Sequence, residues 1–151
     1  MLTFFIILVI VTVAIVPLVQ LAPSKRLRRI ARLREYAAVH GLFVEFRETP
    51  GKEQLIRLAQ FRPADVIYYG KRLRPPKGKP LDSNSWIAAP EGWRSLGKRV
   101  PVPASLLELP PEIFAASVDG SSCGVYWAES AEEETVEQIR TALEAWSEKL
   151  I

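Results

Sequence analysis

Residues that could perform catalysis or bind a metal are scarce in this chain of 151 residues. It contains one histidine, His40, and one cysteine, Cys123. Nucleophilic catalysis needs a base close to the nucleophile, and a zinc site needs several histidine, cysteine or carboxylate ligands. Neither residue has such a neighbour in the sequence, and the carboxylates are scattered rather than arranged as an acid–base pair. We therefore expect no catalytic residue, no metal and no cofactor, and a protein that is not an enzyme.

The charged residues point to a different chemistry, the binding of anionic groups. Six basic residues lie close together near residue 30, against the single acid Glu35; they are Lys25, Arg26, Arg28, Arg29, Arg32 and Arg34. Such a cluster favours binding to anionic phospholipid head groups or to an acidic protein. The simpler alternative is a solvated helix face whose arginines only determine the orientation in the membrane.

A second basic segment lies between Gly70 and Pro80. It combines three prolines with five cations, which are Lys71, Arg72, Arg74, Lys77 and Lys79. Prolines make such a segment extended and stiff, so we expect an exposed loop that binds lipid head groups or phosphate, or else an ordinary solvated loop. Tyr68, Tyr69 or Trp86 would supply stacking surfaces for a base, although nucleic acid is the least favoured partner. The glycine spacing does not match a phosphate-binding P-loop.

A long apolar run precedes both basic segments. Leu2–Ala22 is predominantly Leu, Ile, Val and Phe, and about twenty such residues in a helix match a hydrocarbon core of about 30 Å. Pro17 predicts a bend near one interface. A cleaved signal peptide is the competing interpretation, but it would need a charged start, a shorter apolar segment and a small-residue cleavage site. We therefore predict a membrane anchor over residues 1–23.

The distribution of charge predicts the orientation of this anchor. Basic residues follow the apolar run and none precedes it, so the positive-inside rule places the amino terminus outside and the body in the cytoplasm. A single cysteine fits that reducing compartment. Residues 24–104 carry eighteen basic and seven acidic side chains, whereas residues 105–151 carry two and ten. We predict a single-pass protein of the bacterial inner membrane whose basic half faces the anionic lipid surface.

The remaining elements form one basic helix and one domain. Ser24 at its start and Gly41 just past its end delimit an amphipathic juxtamembrane helix over residues 24–41. Residues 42–151 then predict an α+β domain. A short helix is expected over Lys52–Phe61, and apolar runs with turn signals between them predict strands. The strands are Leu42–Arg47, with Leu42, Val44 and Phe46 on its buried face, Val66–Tyr69, Ser85–Ala88, Trp93–Leu96, Ile113–Val118 and Cys123–Ala128. The turn signals at residues 89–92 and 119–122, the second of which contains Asp119 and Gly120, predict that the third and fourth strands, and the last two, form hairpins.

The last helix has the clearest signals. Ser130 and Glu133 fit a capping box. Five apolar residues then recur at spacings of three and four, which are Val136, Ile139, Leu143, Trp146 and Leu150. Such a stripe indicates packing on the sheet, or docking of a partner helix as the alternative. On its strand, Cys123 shares one face with Val125 and Trp127, which predicts a buried thiol.

The order of these elements supports two resemblances of layout. An antiparallel sheet of five to seven strands followed by one C-terminal helix resembles the element order of a pleckstrin-homology-like open barrel. An anchor with its amino terminus outside, a basic flank and a small cytoplasmic domain resemble the YajC-type accessory subunit of the bacterial Sec translocon. That resemblance implies a translocon-accessory protein.

From the residues themselves, we expect a non-catalytic interaction module. It would serve as an adaptor or an accessory subunit of an inner-membrane complex, and its partner would be another membrane protein. The alternatives are a module that binds anionic lipid through the two basic segments, and an enzyme whose site the motifs do not reveal.

Overall fold

A computed structural model describes residues 1–57 and 62–151 of the chain. These residues form two compact units, Met1–Ala31 and Arg32–Ile151.

The first unit contains helix α1, Leu2–Gln20, whose residues are all exposed. Its length and composition are sufficient to cross a membrane, and a signal sequence would satisfy the same criteria. Pro17 lies inside α1 without ending it. Helix α2, Lys25–Val39, begins in this unit, and the Ser24 Oγ accepts a hydrogen bond from the Leu27 N–H at 3.3 Å. This confirms Ser24 as the predicted helix cap.

The second unit contains the end of α2, a six-stranded sheet and the remaining helices. The strands are β1 Phe43–Glu45, β2 Ile67–Arg72, β3 Asn84–Ala89, β4 Gly92–Leu96, β5 Ile113–Val118 and β6 Ser122–Trp127. The helices are α3 Lys52–Arg57, α4 Ala104–Leu107 and α5 Glu133–Leu150, with a 3₁₀ turn at Pro63–Asp65. The sheet order is β1-β2-β6-β5-β3-β4 and every pairing is antiparallel. This open sheet between helices confirms the predicted α+β class.

Both predicted hairpins are present, β3–β4 and β5–β6. In β5–β6 the turn is held by Asp119, whose Oδ1 accepts bonds from the Ser121 and Ser122 N–H groups, each at 2.8 Å. Asp and Gly at a tight turn are the signal that predicted it.

Two predicted strands differ from the observed strands by more than one residue at one end. β1 ends at Glu45, and Phe46, expected to be buried, is 78% exposed. β2 continues beyond Tyr69 to Arg72, because β6 extends alongside it and pairs Cys123 with Lys71. Gly70, Lys71 and Arg72, which were expected in the loop, therefore belong to strand β2. The predicted helix over Lys52–Phe61 is present as α3, and its last four positions lie outside the described residues.

One face of the sheet packs against the helices. Val125 and Trp127 of β6 belong to the same buried cluster as Leu33 of α2 and Val136 of α5. Trp86 of β3 packs edge-on against α5, with ring centroids 5.6 Å from Trp146. The predicted apolar stripe of α5 is thus confirmed as a sheet-packing face.

The opposite face is built around Tyr68, which is fully buried. Its ring lies over Gly70 and Gly124, which are paired across β2 and β6. A Cβ atom at Gly124 would lie 2.5 Å from the Tyr69 carbonyl oxygen and closer still to the Tyr68 ring. Glycine at both positions therefore leaves the space that the ring fills.

The predicted capping box of α5 is wrong. The helix begins at Glu133, Glu132 occupies the cap position, and no side-chain hydrogen bond caps it. The chain turns between β6 and α5 at Glu129, which has a φ of 51°. This turn leaves Ser130 two residues ahead of the cap, too early to bond the first free amides of the helix.

Candidate membrane and partner-binding surface

The first basic segment is divided between the two units. Lys25, Arg26, Arg28 and Arg29 lie in the opening turns of α2, within Met1–Ala31. The Nε of Arg28 donates a hydrogen bond to the Pro23 carbonyl oxygen at 3.1 Å. These four cations come five to nine residues after the end of α1 in the chain.

Arg32 and Arg34 belong to the second unit and have different surroundings. Arg32 is exposed and lines a small cleft of about 250 Å³ together with Tyr36, His40 and Glu133. Arg34 instead forms an ion pair with Glu129, which follows β6 in the chain. Leaving the buried Glu129 carboxylate unpaired would be costly, so this ion pair connects α2 to the β6–α5 turn.

The Arg34–Glu129 pair has the geometry of a two-pronged ion pair. The Nε and Nη2 of Arg34 donate to the two carboxylate oxygens of Glu129, each at 2.8 Å. The Tyr69 hydroxyl donates to the same carboxylate at 2.8 Å. The hydrogen bond to Glu129 raises the pKa of Arg34, outweighing burial. Burial raises the pKa of Tyr69, and the neighbouring carboxylate raises it further.

The second basic segment begins as a strand. Lys71 lies on the helix-covered face of β2, with its Nζ 3.8 Å from the Glu144 Oε1 of α5. Arg72 lies on the other face, where its guanidinium carbon is 4.8 Å from the centre of the Phe43 ring. Leu73 is buried at the start of the following loop. The expectation that all of Lys71–Lys79 forms an exposed loop is therefore wrong for its first three residues, since β6 and the core engage them.

The rest of that segment is exposed. The side chains of Arg74, Lys77 and Lys79 make no hydrogen bond or ion pair with any residue among 1–57 and 62–151. The loop turns at Gly78, which has a φ of 86°, and the Lys79 N–H donates to the Pro76 carbonyl oxygen at 3.2 Å. Within the second basic segment, these three cations have side chains that are exposed and available to a ligand.

The expected stacking surfaces are not available. Tyr68 and Tyr69 are fully buried in opposite faces of the sheet, and Trp86 is 2% exposed. Successive residues of a strand point to opposite faces of the sheet, and here both faces are covered. The periodicity of the sequence did not reveal this, so all three rings are buried although they were expected at the surface. The aromatic support for a nucleic-acid interface is therefore wrong.

A cluster around Arg47 was not predicted. The Nε of Arg47 donates to Glu45 at 2.8 Å, and its Nη1 donates to Asp119 at 3.1 Å and to Ser122 at 3.3 Å. Its guanidinium also stacks over the Tyr68 ring at 4.2 Å. The turn signal identified Asp119, but nothing near Arg47 in the sequence indicates this partner 72 residues away.

The same cluster stabilises the ionised form of Asp119. Burial raises the pKa of this carboxyl, but hydrogen bonds donated by Ser121 and Ser122 outweigh it, so the pKa lies below its usual value. A carboxylate held by its own turn and by Arg47 has a structural role.

Cys123 and His40, the residues considered for nucleophilic or metal chemistry, lie in different surroundings. Burial raises the pKa of the Cys123 thiol to about 12, so it stays protonated. The His40 ring stacks on Tyr36 with centroids 4.1 Å apart, and its Nδ1 is 2.7 Å from the Tyr36 carbonyl oxygen. Within the described ranges, no group of three or more His, Cys, Asp or Glu side chains is arranged to hold a metal ion.

Comparisons with known proteins found no match among protein-family models, curated protein sequences or solved structures.

Proposed function

We propose that this protein is a single-pass, membrane-anchored interaction module, an adaptor or accessory subunit whose α+β domain works at the cytoplasmic face of a bacterial inner membrane. The observation that carries the proposal is the order of helices α1 and α2 along the chain. A fully exposed apolar helix of 19 residues is followed, after four residues, by a basic helix. Exposed apolar surface of this extent in water is unfavourable, and a bilayer relieves it.

The chain that joins the domain to its proposed anchor is short. Leu33 and Ala37 contribute to the main core of the domain, and Arg34 is bonded to Glu129. Arg32 follows Gln20 by twelve positions, so the chain between them spans at most about 40 Å. The domain therefore has access to proteins of the same membrane and little access to distant ones.

Reporter fusions test the membrane orientation in living bacteria. The full chain is fused at its carboxyl terminus either to alkaline phosphatase, which is active only outside the cytoplasm, or to a fluorescent protein that matures inside. We expect fluorescence without phosphatase activity, and an intact mass that retains residues 1–23. Phosphatase activity, or a mature chain that lacks α1, would refute the proposal.

Affinity purification tests the adaptor role. The carboxyl-terminally tagged full chain is extracted from native membranes in a mild detergent, and the proteins that accompany it are identified by mass spectrometry. We expect one or more membrane proteins in fixed stoichiometry. A chain recovered alone at several detergent concentrations would contradict the adaptor role while leaving the anchor intact.

A further inference from the structure

The loop between β2 and β3 is a projection that is anchored to the core at both ends. Leu73 and Leu81 both pack into the main core, one at each end. The Leu73 N–H also donates to the Ser121 carbonyl oxygen at 2.7 Å, which fastens the base of the loop to the β5–β6 turn. Between these ends Gly78 makes the turn described above, at a φ that other residues rarely adopt.

The charge on this projection is uncompensated. We call Arg74, Lys77 and Lys79 the cationic tip. Elsewhere in the domain, arginines such as Arg34 and Arg47 have carboxylates within 3.1 Å. The tip has none within the described part of the chain. Exposed cations without partners attract anions through a field that salt weakens.

The tip lacks the apolar surface that a protein interface usually needs. Protein hot spots centre on buried aromatic or aliphatic anchors. Here the two leucines point into the core, and the exposed residues between them are cations, prolines and a glycine. Binding to an extended anionic surface needs only positive charge. For an anchored domain, the nearest such surface is a leaflet of anionic lipid.

We propose that the cationic tip contacts the anionic head groups of the membrane in which α1 is anchored. The inference rests on the proposed function, because the anchor supplies the proximity. Each Lys or Arg near an anionic leaflet increases the population in contact about fivefold, so three increase it roughly 100-fold. An interaction too weak to recruit a soluble protein is sufficient once a short tether fixes a high local concentration.

Energy transfer from the loop to the lipid surface measures this contact. Full-length protein carrying Ser83→Cys, an exposed position at the loop base, is labelled with a donor dye and placed in nanodiscs that contain acceptor lipid. Cys123 is buried and stays unlabelled. One set of nanodiscs is pure phosphatidylcholine, and the other contains about one-third phosphatidylglycerol. We expect higher transfer in the anionic discs, and loss of that difference at 0.5 M salt, as an order of magnitude for complete screening.

Two matched variants decide whether the tip is responsible. The first, R74Q/K77Q/K79Q, removes the tip charges and is expected to abolish the lipid-dependent difference. The second, R57Q/K98Q/R99Q, removes three other exposed cations and the same net charge. It is expected to retain the difference. Equal transfer in both lipids, or equal losses in the two variants, would overturn the proposal.

The outcome separates this proposal from the one on which it rests. A chain that does not enter nanodiscs refutes the membrane anchor and this contact together. A chain that enters them and shows lipid-independent transfer refutes only the tip contact. If the tip variant instead loses a protein captured in the affinity purification while its transfer is unchanged, the tip binds an acidic protein and the lipid proposal is wrong.

Discussion

Replacing Arg34 with methionine tests the role of its ion pair with Glu129. The substitution keeps most of the aliphatic stem and removes the guanidinium that donates both bonds to the carboxylate. The Glu129 side chain is 4% exposed and that of Arg34 is 37% exposed. After the change, the carboxylate keeps the Tyr69 hydroxyl as a donor but loses both bonds from the guanidinium.

The expected decrease in the free energy of unfolding depends on this difference in exposure between the two side chains. Removing one partner of a fully buried pair costs about 3–5 kcal/mol. Because the Arg34 end is partly open to water, which can solvate the carboxylate after the change, we expect about 2–3 kcal/mol. For a domain of this size that corresponds to a fall in melting temperature of about 8–12 °C. Arg34→Lys keeps the charge but not the two-pronged geometry, and should cost roughly half as much.

Tryptophan fluorescence provides the assay, because all four tryptophans lie in the second unit. Full-length protein in detergent is heated or titrated with urea, and the signal reports unfolding of the domain without a contribution from α1. Arg32→Met is the matched control. It lies on the same helix, is exposed and should change stability by less than about 0.5 kcal/mol.

A double-mutant cycle identifies the result that would refute the reasoning. If the two side chains stabilise each other, then R34M and E129Q together should cost at least about 1 kcal/mol less than the sum of their separate effects. Additive effects, or a loss with R34M no larger than that with R32M, would show that the pair contributes nothing beyond the packing of the Arg34 stem.

Three further measurements test other parts of the domain. Gly124→Ala would place a Cβ 2.5 Å from a backbone carbonyl oxygen and should cost about 2–3 kcal/mol in urea melts, whereas Gly120→Ala, with no atom within 4 Å, should be nearly neutral. Hydrogen bonds from Arg140 lower the pKa of Glu137 from 4.5 to about 2. The folded state therefore binds fewer protons in that interval, so stability should fall as the pH drops from about 5 to 2, and less steeply in Glu137→Gln. Cys123 should react with a thiol reagent at pH 8 only as fast as the domain unfolds, so rapid labelling of native protein would contradict its burial.

The local elements could be predicted from the sequence because their signals lie within a few residues. The β5–β6 hairpin follows from Asp119 and Gly120 between two β-rich runs, and α5 follows from its apolar stripe. The cap of α2 at Ser24 is equally local. Each depends on turn chemistry or periodicity that neighbouring residues carry by themselves.

Whether a given cation is paired with a carboxylate could not be predicted in the same way. Arg34 and Arg74 look alike in the sequence, since both stand among other basic residues. One is bonded to a carboxylate 95 residues away and the other has no partner among the described residues. This difference depends on strand order and on which face a side chain occupies, and both are set by pairings between distant segments. The same reason explains why Tyr68 was expected at the surface.

The strand order also has a consequence for biosynthesis. The central strands β6 and β5 are the last to be made, and they join β1–β2 on one side to β3–β4 on the other. The pairs β1–β2 and β3–β4 therefore cannot be joined into one sheet until the ribosome has passed Trp127. Pairings between distant segments also form slowly. At about 5–20 residues per second, synthesis from Gln20 to Trp127 takes roughly 5–20 s. Helix α1 precedes all six strands in the chain, so we expect the proposed anchor to meet the membrane insertion machinery while the domain is still unfolded.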